Sequence, residues 1–179
     1  MGSSKLELII NGKSLFRRII DVAINSNADK IIVVTGAHPV PFTSNEFECV
    51  NNKDWQLGIG SSIKTGLNQL IASGISPSGA LFLVADQPYI TADHLKSLID
   101  EFQKSSSIVA SHYNNTTGVP AIFPQKYFNE ILRLRNEQGA KALIEKHGDQ
   151  LRVIEFPKGE IDLDTPADYD KFNQEQGLN

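Results

Sequence analysis

The sequence predicts an α/β protein, a mainly parallel sheet covered by helices on both faces. Three observations carry that prediction. Short, continuous apolar runs rich in β-branched residues recur along the chain, as strands buried on both faces require. Between them lie segments whose apolar residues return every three to four positions, the helical period. The connecting loops are mostly short, and steady alternation of strand and helix is the pattern of a parallel sheet wrapped by helices. At 179 residues the chain can bury a full core, and 1–179 reads as one domain without repeat or linker.

Taken in order, residues 6–10 read as a short strand closed by the turn pair Asn11 and Gly12. Leu15, Phe16, Ile19, Ile20 and Ala23 predict an amphipathic helix over 14–25. Residues 30–35 (KIIVVT) form a buried strand ending at Gly36, 38–45 a loop, and 47–50 a brief strand before a polar loop over 51–58. A second helix opens at Gly60 or Ser61, with Ile63, Leu67, Leu70 and Ile71 on its apolar face. The central strand is 80–88 (ALFLVADQP), uncharged and apolar through Ala85 before it runs into Asp86. Thr91 is a good N-cap for a third helix, with Asp93 in its first turn and Leu95, Leu98, Ile99 and Phe102 facing inward. Strands follow at 107–112 and 119–123, helices at 125–132 and 138–147 with Gly148 as the stop, and a last strand at 151–156. Pro166 suits the first turn of a final helix through Tyr169 and Phe172.

Composition narrows the function. Net charge is −4, which argues against a nucleic-acid surface, because neutralising many phosphates needs a basic face. A local basic pocket for one nucleotide is still allowed. Cys49 is the only cysteine, which excludes an intramolecular disulfide and a cysteine-rich zinc cluster. Its run, FECV, predicts a buried thiol rather than a reactive one. No apolar stretch reaches the roughly 18 residues of a membrane helix, and MGSSKLEL has no signal-peptide core. A cytoplasmic protein is expected.

The residues that carry chemistry are few. In open α/β sheets ligands sit beyond the carboxyl ends of strands, where Asp86 falls; a carboxylate there binds a metal or caps the next turn. The run 161–168 (IDLDTPAD) adds more carboxylates. Thr165 and Asp168 read as helix-start chemistry, whereas Asp162 and Asp164 share one face if the run is extended. Magnesium is usually held by one or two carboxylates plus substrate phosphates, so Asp86 with Asp164 suffices. The segment Gly58, Ile59, Gly60, Ser61, Ser62 feeds a helix N-terminus, whose backbone N–H groups suit an anion. Trp55 either stacks on a ring or packs its loop. Lys5 alone reads as a solvated charge. His38, His94, His112 and His147 show no ligand or catalytic spacing and read as structural.

Together these residues resemble the MobA-like nucleotidyltransferases, most closely the molybdenum cofactor cytidylyltransferase branch. Met1 to Lys5 matches the end of that family's glycine-rich first motif. Asn52, Trp55, Gly58, Ser62, Gly66 and Leu67 match the second in register. Asp86, Gln87 and Pro88 match the third, and Gly118, Val119 and Pro120 the fourth. Asp162 to Asp168 matches the last. Two departures stand out. Residues 136–141 read NEQGAK where the family has Gly-Asp-x-Gly-Ala-Arg, and lysine lacks the bidentate fork of arginine. The family's opening strand and most of its glycine-rich loop have no counterpart in this chain, which implies weak triphosphate binding and poor turnover.

The resemblance implies a three-layer Rossmann-like sandwich of the nucleotide-diphospho-sugar transferase type. It implies transfer of CMP from CTP to the terminal phosphate of molybdopterin, with release of pyrophosphate. Lys5 and Asp86 would be catalytic. Lys5, Asn52, Gly58 and Ser62 would bind nucleotide, and Trp55, Gly118 and Pro120 the acceptor. Asp86 and Asp164 would hold magnesium. The product would pass to a molybdoenzyme or its maturation chaperone. Alternatives are a guanylyltransferase using GTP, a sugar-phosphate nucleotidyltransferase of the same fold, or a non-catalytic pterin-cofactor binding protein.

Overall fold

A computed structural model describes residues 9–10, 12–40, 44–163, 168 and 172. Its elements are β1 (Ile9–Ile10), β2 (Lys13–Ser14), α1 (Leu15–Ile24), β3 (Ile32–Thr35), β4 (Glu48–Asn51), α2 (Ile59–Ala72), β5 (Gly79–Phe82), α3 (Ala92–Ser105), β6 (Ile108–Tyr113), β7 (Thr116–Pro124), α4 (Phe128–Ile131), α5 (Lys141–Lys146) and β8 (Leu151–Glu155). Single 3₁₀ turns lie at Trp55–Leu57, Gln125–Tyr127 and Gly148–Gln150.

The helices form where caps and periodicity agree. Ser14 accepts the Arg17 N–H at the start of α1, which buries Leu15, Phe16, Ile19 and Ile20. Thr91 accepts the His94 N–H at the start of α3, which buries Leu95 and Leu98. In α2, Leu67 is buried and Ile63 and Leu70 are partly so, but Ile71 is exposed, one position round from the buried stripe.

The sheet is mixed. The described ladders give the order β5-β7-β6-β8, with β5–β7 and β6–β7 antiparallel and β6–β8 parallel. β3 and β4 pair in parallel as a separate ladder. The expectation of mainly parallel strands gives way at β6–β7 for a local reason. Tyr113 pairs with Thr116, leaving a two-residue loop of Asn114 and Asn115 at φ 45° and 58°. Two consecutive residues at positive φ make a tight hairpin, and a tight hairpin joins only antiparallel strands.

The central strand is shorter than expected. β5 ends at Phe82, and Leu83, Val84 and Ala85 continue half-buried without entering a described ladder. Leu83 and Ala85 pack instead on the cluster of Leu15, Ile19, Leu98, Val109, Phe156, Leu163 and Phe172. A second, built on Phe123, Ile108, Leu67, Ile131 and Leu143, packs α2, α4 and α5 against β5, β6 and β7. Cys49 is a correction: it is exposed on β4, and partial desolvation raises its thiol above the ordinary range. The strand alternates there, so the outward position fell to the cysteine.

His94 is structural, as expected. Its ring stacks on Phe156 at 4.5 Å, and its Nε2 lies 2.8 Å from Ser111 Oγ. The Ser111 hydroxyl spends its hydrogen on the Pro120 carbonyl at 2.7 Å, so His94 is the donor to Ser111. Burial holds the His94 imidazole below its ordinary value of 6.5. The unfolded chain therefore takes up a proton near pH 6.5 that the folded protein refuses. Stability from this group is intact above that pH and is lost as pH falls toward the depressed folded value. Urea midpoints from pH 8 to 5 should fall below pH 6.5, and His94→Gln should flatten that part of the profile.

Candidate active site

The first candidate segment is the turn between β4 and α2. Asn52 is buried, and its side chain builds the turn. Its Nδ2 donates to Ser61 Oγ at 2.8 Å and Ser62 Oγ at 3.0 Å, while its Oδ1 accepts the Asp54 N–H at 3.0 Å. The Ser61 hydroxyl reaches the carbonyls of Gly58 at 2.7 Å and Asp54 at 3.0 Å. Trp55 is 42% exposed and lies on Gly36 at the end of β3, where a Cβ would come within 2.8 Å of the indole.

Gly58 and Gly60 serve another close approach. Gly58 sits at φ 121°, and a Cβ there would meet the Asn136 carbonyl oxygen at 2.5 Å; at Gly60 it would meet the Arg135 carbonyl at 2.4 Å. The loop 135–139 is thus held flush against α2. The Gly60 N–H donates to Asn136 O at 2.8 Å, and Lys64 Nζ donates to Asn136 Oδ1 at 2.6 Å and Leu134 O at 3.1 Å. Expected as anion donors, two N–H groups of this helix start are engaged inside the protein: Gly60 on Asn136 and Ser61 on Gly58. Gly60→Ala should push this loop off α2 and cost about 1–3 kcal/mol, the usual penalty of overpacking, read as a fall in thermal midpoint.

The second candidate segment is the rim after β5. Among the described residues the Asp86 carboxylate has no hydrogen-bond or ion-pair partner. Its backbone carbonyl accepts the Leu163 N–H at 3.2 Å. Leu163 is 1% exposed while Asp162 is exposed, so a buried anchor ties the acidic run to the rim. Lys5 and Asp164 lie outside the described residues, and no group of three or more potential metal ligands forms among those described. A carboxylate without a partner among the described residues is a hard oxygen donor of the kind magnesium and manganese take.

Beside the rim are two side chains that sequence reasoning did not assign. Gln87 is 3% exposed, and its Nε2 donates to Gly159 O at 2.8 Å and Val119 O at 3.3 Å. Tyr113 reaches over Gly118, where a Cβ would lie 2.4 Å from its hydroxyl. Burial, with Asp162 and Glu160 nearby, pushes the Tyr113 hydroxyl above its usual range, against a smaller opposing effect of the neighbouring Gln87 amide. Gly118 and Pro120 are both buried, and the Pro120 carbonyl is taken by Ser111. The only prior signal for Gln87 was its place between Asp86 and Pro88; for Tyr113 there was none.

Comparison with known proteins shows the family and the fold. The chain is 28% identical over 188 aligned residues to the purine catabolism protein PucB of Bacillus subtilis, covering 95% of this chain and 88% of PucB. A homologue of Rv0371c from Mycobacterium sp. strain JC1 superposes with TM-score 0.79 at 26% identity, over 98% of this chain and 89% of that one. A manganese complex of Rv0371c from Mycobacterium tuberculosis shares the fold, with TM-score 0.78 at 21% identity over 95% and 91% of the two chains. Among the described residues no helix is long and apolar enough to cross a membrane. The MobA-like NTP transferase domain profile matches residues 1–151, and this chain belongs to that family of nucleotidyltransferases.

Proposed function

We propose that the protein is a cytoplasmic cytidylyltransferase, moving CMP from CTP to the terminal phosphate of molybdopterin with release of pyrophosphate. The observation that carries the reading is the uncommitted Asp86 carboxylate at the rim, with the acidic run tied to its backbone through Leu163. The choice of cytidylyl over guanylyl transfer rests on the motif of Asn52 and Trp55 and on the segment 118–128, and the pterin acceptor on the resemblance carried by the five sequence motifs. The product would pass to a molybdoenzyme or its maturation chaperone.

The attacking oxygen belongs to the acceptor phosphate, which is largely ionised near pH 7 because its second pKa is ~6. No general base is required, which agrees with a His94 committed to Ser111. A bond forms from that oxygen to the α-phosphorus as the bond to the β-phosphate oxygen breaks, and pyrophosphate leaves with the electron pair. Positioning and charge neutralisation carry such a reaction. Magnesium, when bound, supplies neutralisation of charge on the reacting phosphates. Asp86 and Asp164 are the residues that would hold it, and Lys5 offsets charge on the departing pyrophosphate.

Asn52, Gly58 and Ser62 serve the nucleotide by fixing the shape of the turn beneath it. Trp55 offers its exposed face to a ring. Gly118 lets the Tyr113 hydroxyl come close over the chain, and Tyr113 makes the contact with the acceptor beside Pro120. The test is pyrophosphate release with molybdopterin and magnesium, comparing CTP with GTP. Release with CTP alone supports the reading, and preference for GTP assigns the guanylyl reaction. Pterin binding without any pyrophosphate release marks a non-catalytic binder.

A further inference from the structure

The Gln87 side chain joins three separated segments. It hangs from the rim beside Asp86, and its Nε2 donates to Gly159 O at 2.8 Å and to Val119 O at 3.3 Å. One residue upstream, Asp86 O accepts the Leu163 N–H at 3.2 Å. The acidic segment after β8 is therefore fastened to the rim at two points, Gly159 and Leu163, four residues apart.

Its neighbours leave that segment little other choice. A Cβ on Gly159 would come within 2.4 Å of Phe156 and 2.6 Å of Tyr113, so the turn must pass close under both rings. Phe156 and Leu163, at 3% and 1% exposure, anchor its two ends in the same apolar cluster. Between those anchors lie Glu160 and Asp162, both exposed.

The amide is not explained as packing. Among the described residues Gln87 Oε1 is buried without a hydrogen-bond partner. An unmet buried acceptor is a standing cost, which a methionine of similar length would avoid. What methionine could not supply is the Nε2 donor to Gly159 and Val119.

We propose that Gln87 is a positioning residue, which sets the register of the acidic segment 159–163, with Glu160 and Asp162, against Asp86 and so determines the divalent-cation affinity of the site. The inference rests on the proposed role of Asp86 as a metal ligand. Gln87 itself touches neither metal nor substrate.

The test is manganese binding followed by electron paramagnetic resonance, on the full chain with CTP present, for wild type, Gln87→Met, Gln87→Asn and Asp86→Ala. Gln87→Met removes the donors and also the unmet acceptor. Gln87→Asn keeps the amide, shortens its reach, and guards against a methionine variant that fails to fold. Either folded glutamine variant should bind manganese at least about 10-fold more weakly while still melting cooperatively. The metal concentration for half-maximal turnover should rise by a similar factor, with kcat at saturating metal changed much less. A purely structural role would lower the thermal midpoint and leave manganese affinity alone. Wild-type affinity in both glutamine variants, with affinity lost in Asp86→Ala, overturns the positioning role and keeps the metal reading. Wild-type affinity in Asp86→Ala overturns the metal reading itself.

Discussion

Asp86→Ala is expected to abolish metal-dependent pyrophosphate release, by at least about 10²-fold, while the protein melts as cooperatively as wild type. Both halves follow from where the side chain sits. Its carboxylate takes part in no hydrogen bond or ion pair among the described residues, so its removal orphans no described partner. The bond that ties down the acidic run uses the backbone carbonyl, which alanine keeps. A residue whose loss costs activity and spares stability is one whose charge serves the ligand. Turnover at near-normal rates would remove Asp86 from the chemistry. A collapse of the melting transition would make it a structural carboxylate.

Asn52→Ala should show the opposite balance. Three hydrogen bonds run from one buried amide, to Ser61, Ser62 and the Asp54 N–H, and alanine leaves their partners unmet in a site 3% exposed. Net bonds of about 1 kcal/mol each, plus the penalty for unmet groups, put the cost at about 2–4 kcal/mol. For a chain of this size that is a drop of roughly 5–15 °C in thermal midpoint. Activity should fall with it, because the turn carries Trp55 and faces the loop 135–139. Asn52→Asp keeps Oδ1 for the Asp54 N–H but loses the donors to both serines, and it should recover only part of the loss. An unchanged midpoint in Asn52→Ala would mean that the turn holds its shape without this amide.

What could be read from the sequence follows what short-range physics controls. α1 and α3 were legible because a capping hydroxyl and a three-to-four apolar period point the same way at Ser14 and Thr91. The β6–β7 hairpin was not, because its signal is confined to Asn114 and Asn115, and asparagine at positive φ is only one of its habits. Without that turn, alternation alone argues for parallel strands. The run after β5 was over-extended because apolar character marks burial, and Leu83 and Ala85 are packed without being paired. The exposure of Cys49 depended on which face of β4 meets the core, a tertiary fact.

The site divides the same way. Motif spacing pointed to Asn52, Gly58 and Ser62, which fall at the β4–α2 turn and the first turn of α2, and to Asp86, which follows β5. It could not show that Asn52 bonds Ser61 as well as Ser62. Nor could it show that the glycines yield to the Asn136 and Arg135 carbonyls rather than to a ligand. Gln87 acts across 72 residues of sequence on Gly159, a contact between distant segments that leaves no local periodicity, and Tyr113 meets Gly118 only because the unread β6–β7 hairpin brings them together. Of the departures at 136–141, Asn136 has a structural use: its Oδ1 accepts a hydrogen bond from Lys64 Nζ.

The central claim is that Asp86 and the acidic segment after β8 close on one cation at the rim of the sheet. It is tested most directly by a crystal structure grown with manganese and a non-hydrolysable CTP analogue, with the metal located by its anomalous scattering. The expected result is a single peak within about 2.0–2.6 Å of an Asp86 carboxylate oxygen and of an Asp164 oxygen, bridged to the nucleotide phosphates. A peak ligated elsewhere, with the Asp86 carboxylate turned to solvent beside a bound nucleotide, would contradict it.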